Sequence, residues 1–184
     1  MDFNPCMKHK AVRKAVRKFA ETELGPISHE IDRESRFPWE VIEKMRQLNY
    51  FGLQVPQKYG GAELDTISYA ITVEELSRVC AAIGLCITVH NSVGAYPIVR
   101  FGTEEQKKKY LPEIAAGRLR LQAFGVTEPA AGTDTTSIRT FAERRDDHYV
   151  VNGQKIWISR AAHSDLLLLL ARTRSRQEVT KKTD

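Results

Sequence analysis

Apolar side chains recur at helical spacing along the first two-thirds of the chain and alternate along the last third. In residues 10–24, Val12, Ala15, Val16, Phe19 and Ala20 form one stripe on an otherwise charged segment, the signature of a helix with one buried face. Gly25-Pro26 is expected to end it, because glycine suits the position just past a helix and proline cannot continue the ladder. A second helix opens near Pro38, a good first-turn residue, with Trp39, Val41, Ile42, Met45 and Leu48 turned inward and Asn49 and Gly52 as its stop. Residues 51–61 read as loop. Asp65 or Thr66 caps a third helix, whose inner face would be Ile67, Ala70, Ile71 and Val79. Residues 81–101 are apolar on nearly every side and rich in small residues, including Gly84, Cys86, Ser92, Gly94 and Ala95. That composition predicts a helix in the middle of a bundle, kinked or broken at Pro97. His90 and Asn91 are its strongly polar residues: either a hydrogen-bonded pair in the core or part of a substrate cavity. Thr103 and Gln106 make a capping box for a helix that gives way near Leu111-Pro112 and ends at Gly117.

After Gly117 the pattern turns to short β-rich segments. Strands are expected over residues 121–127, 137–143, 149–151, 154–158 and 166–172, with a turn at Arg145-Asp146-Asp147. Asn152-Gly153 between two such runs is a strong hairpin signal, because both central residues of that turn need positive φ. The fold class is therefore α+β: an all-α helical bundle over residues 1–118, then the start of an antiparallel β-barrel-like domain over residues 119–184. The last strand is aliphatic enough to be covered on both faces, yet would be left as an exposed edge, which natural sheets avoid. The chain is expected to be a truncated piece of a longer protein.

With 42% apolar and 28% charged residues the composition is that of a soluble globular protein. The net charge of +5 does not imply a nucleic-acid partner, because Lys8, Lys10, Arg13, Lys14, Arg17 and Lys18 surround an amphipathic helix and lack any reading element. No secretory leader is visible. The longest unbroken aliphatic run, residues 166–171, falls far short of the roughly 20 residues that span a bilayer. Cys6, Cys80 and Cys86 lack C-x-x-C spacing, so neither a disulfide framework nor a zinc site is expected. A cytoplasmic setting, no membrane span and no metal follow as expectations.

Chemistry concentrates in residues 124–159, which open FGVTEPAAGTDTTS and close NGQKIWIS. Thr127 and Ser159 offer hydroxyls, Val126, Gly132 and Thr133 offer backbone N–H groups from a tight loop, and Trp157 offers a flat indole. A planar, multiply hydrogen-bonding heterocycle carrying phosphates needs that set. Singly, each has a plainer reading: Thr127 starts a turn, Trp157 fills a core, Gly132 serves a loop. The ordered combination is what points to a ligand.

These residues also carry a resemblance. TEPAAGTD followed by NGQKIWIS resembles the paired signature of the acyl-CoA dehydrogenase family of flavoproteins. WEVIEKMRQLNYFGLQVPQKYGG resembles that family's second helix and the loop after it, and FGTEEQKKKYLPEIAAGRLRLQAFGVTEPAAGTD its passage from helical into β-domain. The resemblance covers essentially the whole chain. It implies FAD as cofactor, an acyl-CoA thioester as substrate, and α,β-dehydrogenation with hydride passing to flavin N5. It further implies electron-transfer flavoprotein as acceptor and a homo-oligomer at full length. Carried over by position, Phe124, Val126, Thr127 and Thr133 would line the flavin, with Trp157, Ile158 and Ser159 opposite. Thr133, where the family usually has serine, would also approach the substrate's pantetheine arm. Ser159-Arg160 stands where the family often reads Thr-Asn, so Arg160 adds a charge with no assigned role. The family's C-terminal helical domain carries the catalytic glutamate and has no counterpart here. No catalytic residue is nominated, and Glu74, Glu75 and Glu128 are better explained by helix-face solvation or loop structure. The piece alone is expected not to turn over. Its rivals are a non-catalytic interaction module and a relative using oxygen or a non-thioester substrate.

Overall fold

The computed structural model describes residues 5–119, 122–174 and 178. Leu121, the expected start of the first strand, and most of the polar tail after Arg174 lie outside them. The architecture is α+β, a helical bundle followed by the start of a β-domain.

Helix α1 (Met7–Phe19) buries Val16 and Phe19 and runs directly into a wider π-type turn, Ala20–Leu24. Gly25-Pro26 does not stop the chain's coiling. Gly25 stays right-handed at φ −51°, and Pro26 falls in a 3-10 segment, Gly25–Ile27, where its missing N–H is an orphan anyway. Helix α2 (Ser28–Arg33) follows. In α3 (Trp39–Gln47) Val41, Ile42 and Met45 are buried, whereas Trp39 at its first residue and Leu48 just past its end are exposed.

Helix α4 (Thr66–Val79) is capped by Asp65, whose carboxylate accepts from the Ser68 amide at 2.8 Å. Its buried face is Ser68, Ile71, Thr72, Glu75 and Leu76, while Ile67 is exposed. Glu75 explains the rotation. Its carboxylate is 1% exposed and accepts from Arg17 at 2.8 and 2.9 Å and from Arg13, with Arg78 at 3.4 Å. Hydrogen bonds from Arg17 outweigh burial and hold Glu75 down to about 2. The carboxylate is tolerated inside because partly exposed guanidinium groups close over it and hydrogen-bond it.

Helix α5 (Ala81–Val89) lies so close to α4 that a Cβ on Gly84 would fall 1.9 Å from Ser77 Oγ. A second π-type turn, His90–Ala95, leads into α6 (Tyr96–Phe101). Pro97 causes no break, because it sits in the first turn of α6 and the wider turn ahead absorbs its missing donor. Asn91 is structural: Oδ1 accepts from the Leu53 amide at 3.0 Å, and Nδ2 donates to the carbonyls of Tyr50 and Ile87 at 3.0 and 3.1 Å. His90 is wholly buried, edge-on to Phe51 at 4.7 Å, with neither ring nitrogen in a hydrogen bond. By length and composition the Ala81–Phe101 stretch could cross a bilayer. Here it packs between α4 and the strands as a core helix does.

Helix α7 (Glu104–Ala115) has the expected capping box and passes through Pro112 without a break. It ends in a Schellman motif: Gly117 is left-handed at φ 66°, its amide donates to Ile114, and the Arg118 amide donates to Glu113.

Strand β1 (Gln122–Gly125) pairs in parallel with β4 (Leu166–Leu169), Phe124 standing opposite Leu168. Strands β2 (Phe141–Arg145) and β3 (His148–Asn152) form an antiparallel hairpin around Asp146-Asp147, with Asp146 at φ 50°. Among the described residues these are two separate pairs and not one meander. The expected hairpin at Asn152-Gly153 is not made, because Asn152 still belongs to the ladder opposite Phe141 and is not among the positive-φ residues that a type I′ turn requires. Residues 154–158 consequently form no strand. The β1–β4 pair lies against the His90–Ala95 turn, and Leu166 packs with Val55, Tyr59, Leu111 and Ile114 in a second core beside the main one.

Burial holds the His90 imidazole neutral and pushes its pKa down to about 3, from 6.5. The unfolded chain therefore binds a proton that the native state refuses as pH falls below 6.5, and stability falls with it. Urea unfolding of the chain should lose about 2 kcal/mol between pH 6.5 and 5 from this group. His90→Leu should flatten that slope, leaving the carboxylate-linked loss below pH 4.5. An unchanged slope would contradict the assignment.

Candidate functional site

The site is built where β1 runs out. Ala123 and Gly125 turn to the buried side of β1 and Phe124, 42% exposed, to the open side. Val126 and Thr127 follow, half-buried, and then the chain turns sharply: the Glu128 amide donates to the Ala131 carbonyl at 2.8 Å and the Ala131 amide returns the bond at 3.2 Å. Asp134 caps the next turn, accepting from the Thr136 amide at 3.1 Å and from Ser137 Oγ at 2.7 Å.

The Glu128 carboxylate is the centre of this region. It is 6% exposed and accepts from the Arg139 amide at 2.6 Å, the Thr140 amide at 2.9 Å and Lys155 Nζ at 2.9 Å. Burial alone would raise its pKa, but the bonds from Thr140, Arg139 and Lys155 win and hold it down to about 2. Lys155 Nζ also donates to the Val126 carbonyl at 2.8 Å, and the neighbouring Ile156 amide donates to the Thr127 carbonyl at 2.9 Å.

Those bonds bring together the two halves of the motif. Val126 and Thr127 lie against Lys155 and Ile156, so Trp157, Ile158 and Ser159 emerge directly beside them. Trp157 does not sit on a strand: it is left-handed at φ 58° and its indole is 86% exposed. Ile158 is half-buried and Ser159 exposed. Thr133 is exposed on the loop between Ala131 and Asp134, and no hydrogen bond among the described residues ties it to the Lys155 segment. A half-buried hydroxyl at Thr127 and an exposed one at Ser159, beside an uncovered indole, fit a flat, hydrogen-bonding ring such as a flavin. The acidic and basic side chains next to them, Glu128 and Lys155, are engaged with each other. Glu74 and Glu75 are also engaged, both holding Arg13.

Sequence reasoning missed the role of the Glu128–Lys155 pair. The available signal was a lysine set among β-rich residues 27 positions downstream of a glutamate between Thr127 and Pro129. An apolar cleft of about 320 Å³ lies elsewhere, between α6, α7 and β4, lined by Pro97, Ile98, Phe101, Tyr110, Leu166 and Leu167.

Comparison with known proteins identifies the family and the fold. Residues 7–118 match the family model for the acyl-CoA dehydrogenase N-terminal domain and residues 123–183 that for the middle domain. The chain is 46% identical over 173 residues to a short-chain specific acyl-CoA dehydrogenase of Clostridium acetobutylicum, covering 94% of this chain and 45% of that one. It is 40% identical, at a TM-score of 0.90, to a solved structure described as the electron transferring flavoprotein of Acidaminococcus fermentans, covering 96% of this chain and 46% of that one. A solved FAD complex of PigA is 27% identical at a TM-score of 0.88, covering 95% and 46%. The chain thus spans less than half the length of these relatives.

Replacing Glu128 by Gln keeps an acceptor for only one of the Arg139 and Thr140 amides, which bond to different carboxylate oxygens, and leaves the Lys155 ammonium buried without its counter-charge. Urea unfolding should show a loss of about 3–5 kcal/mol. Glu128→Gln with Lys155→Met should be more stable than the sum of the single variants by about 1 kcal/mol or more. Strict additivity would mean that the pair does not hold the turn.

Proposed function

Because the chain belongs to the acyl-CoA dehydrogenase family, we propose that residues 124–159 form one wall of an FAD site in an enzyme that dehydrogenates an acyl-CoA thioester between its α and β carbons. The observation that carries this reading is the Glu128–Lys155 node, which holds Val126 and Thr127 beside Trp157, Ile158 and Ser159.

FAD, when bound, supplies a two-electron acceptor. The chain's own residues position it. Thr127 and Ser159 donate hydroxyl hydrogen bonds to the polar edge of the ring, which favours the negative charge that reduction brings. Trp157 and Ile158 pack against the ring, Phe124 and Val126 close the side toward β1, and Thr133 reaches both the cofactor and the substrate's pantetheine arm. None of the carboxylates Glu74, Glu75 and Glu128 serves as the base, because each is held by a cation. Electron-transfer flavoprotein is the proposed acceptor and a homo-oligomer the proposed full-length state. The proposed domain division falls between residues 118 and 119.

A second reading, an interaction module that binds no flavin, draws on the aliphatic edge of β4 and on Phe101, which is 81% exposed at the rim of the apolar cleft.

The deciding experiment is the absorbance spectrum of the purified 184-residue chain after incubation with FAD and desalting. A retained band near ~450 nm, weakened by Thr127→Val and Ser159→Ala, is expected for a working half-site. A clean protein spectrum from a folded sample would contradict it and favour the interaction module.

A further inference from the structure

Two residues of the site turn hold a backbone conformation that L side chains seldom adopt: Trp157 at φ 58° and Arg160 at φ 63°. At such a position glycine or asparagine is the comfortable choice and arginine is not. Left-handed residues of this kind persist where their surroundings over-determine them, and they gather at functional sites.

At Arg160 those surroundings are visible. Its carbonyl accepts from the His163 amide at 2.8 Å and from Ser164 Oγ at 2.9 Å, which fixes the turn behind it. Its side chain leaves the turn and crosses to α5, where Nη1 stands 3.4 Å from the Leu85 carbonyl. The same guanidinium lies beside the Cys86 thiol. Burial pushes that thiol's pKa up, and Arg160 pulls it back. His163, three residues on, stacks on Phe37 at 5.0 Å and 25° and meets Trp39 edge-on at 5.6 Å and 82°. The turn is thus fastened to the helical part at two points, and Arg160 is the one adjacent to Ser159.

We propose that Arg160 is a positioning residue: by reaching α5 it seats the turn of Trp157, Ile158 and Ser159 against the helical bundle and sets where the indole and the serine hydroxyl meet the cofactor. The turn needs no charge for its own backbone, since a shorter, αL-tolerant side chain would form it with less strain. The guanidinium is there for what it touches. The consequence for the cofactor rests on the FAD reading above; the seating of the turn does not.

The test uses the 184-residue chain with Arg160→Asn and Arg160→Lys. Asparagine relieves the left-handed strain, so the thermal midpoint of Arg160→Asn should be unchanged or higher. Amide hydrogen exchange in residues 157–162 should nonetheless quicken about tenfold in Arg160→Asn and return part of the way in Arg160→Lys. With FAD added, Arg160→Asn should weaken binding by about tenfold and reduce the quenching of flavin fluorescence by the indole, with partial rescue by lysine. Unchanged exchange in Arg160→Asn would overturn the proposal. A uniform loss of protection across the chain with a lowered midpoint would also overturn it, marking Arg160 as a general stabilising residue. Should the unsubstituted chain bind no FAD, the cofactor reading fails, while the exchange comparison still decides the role of Arg160.

Discussion

A buried ammonium–carboxylate contact, Lys155 Nζ to Glu128 at 2.9 Å, gathers more of this fold's last third than any strand does. Glu128 caps the amides of Arg139 and Thr140, so it fixes the lead-in to β2. Lys155 takes the carbonyl of Val126, so it fixes the exit from β1. A lone buried charge is strongly unfavourable, whereas a paired and hydrogen-bonded one is tolerated and defines a register. The short strands, of four and five residues, are too small to specify that arrangement alone, because an isolated two-stranded pair is marginal in water. Thr127 and the segment that carries the exposed indole and Ser159 are held side by side because this pair closes beneath them.

The helical part supplies the other support. Its π-type turn at His90–Ala95 widens the helix where β1 and β4 press against it, and Asn91 ties that turn to the 50–53 loop through two hydrogen bonds. Arg160 and His163 then fasten the site turn to α5 and to the Phe37–Trp39 corner. The proposed site therefore lies along a seam, its residues on the strand side and the contacts of Arg160 and His163 on the helix side.

What was legible in the sequence were features written in neighbouring residues. The capping box at Thr103 and Gln106, the cap at Asp65, the glycine end at Gly117 and the Asp146-Asp147 turn are all local, and all are present. The misreadings came from local signals that their surroundings overrode. Gly25-Pro26 read as a helix end, and Pro97 as a kink or a break; the chain coils on through both by way of 3-10 and π-type turns. Asn152-Gly153 read as a hairpin, yet residues 155 and 156 find their partners at Val126, Thr127 and Glu128 instead. The parallel β1–β4 pairing joins strands some forty residues apart, and such a long-range choice leaves no mark in local alternation. The site's residue types were legible as a motif. Which of them meet was not, because that is decided by Glu128 and Lys155, two charged residues whose burial no periodicity reveals.

The most direct measurement is site-resolved amide hydrogen exchange of the native chain at Ile156, Arg139 and Thr140. If one ion pair holds both halves of the site, the three amides open together, and their protection should agree within about threefold. An Ile156 amide exchanging as freely as an exposed loop while Thr140 stays protected would show that the two halves are held separately. The Glu128–Lys155 pair would then not be what brings Thr127 to Trp157.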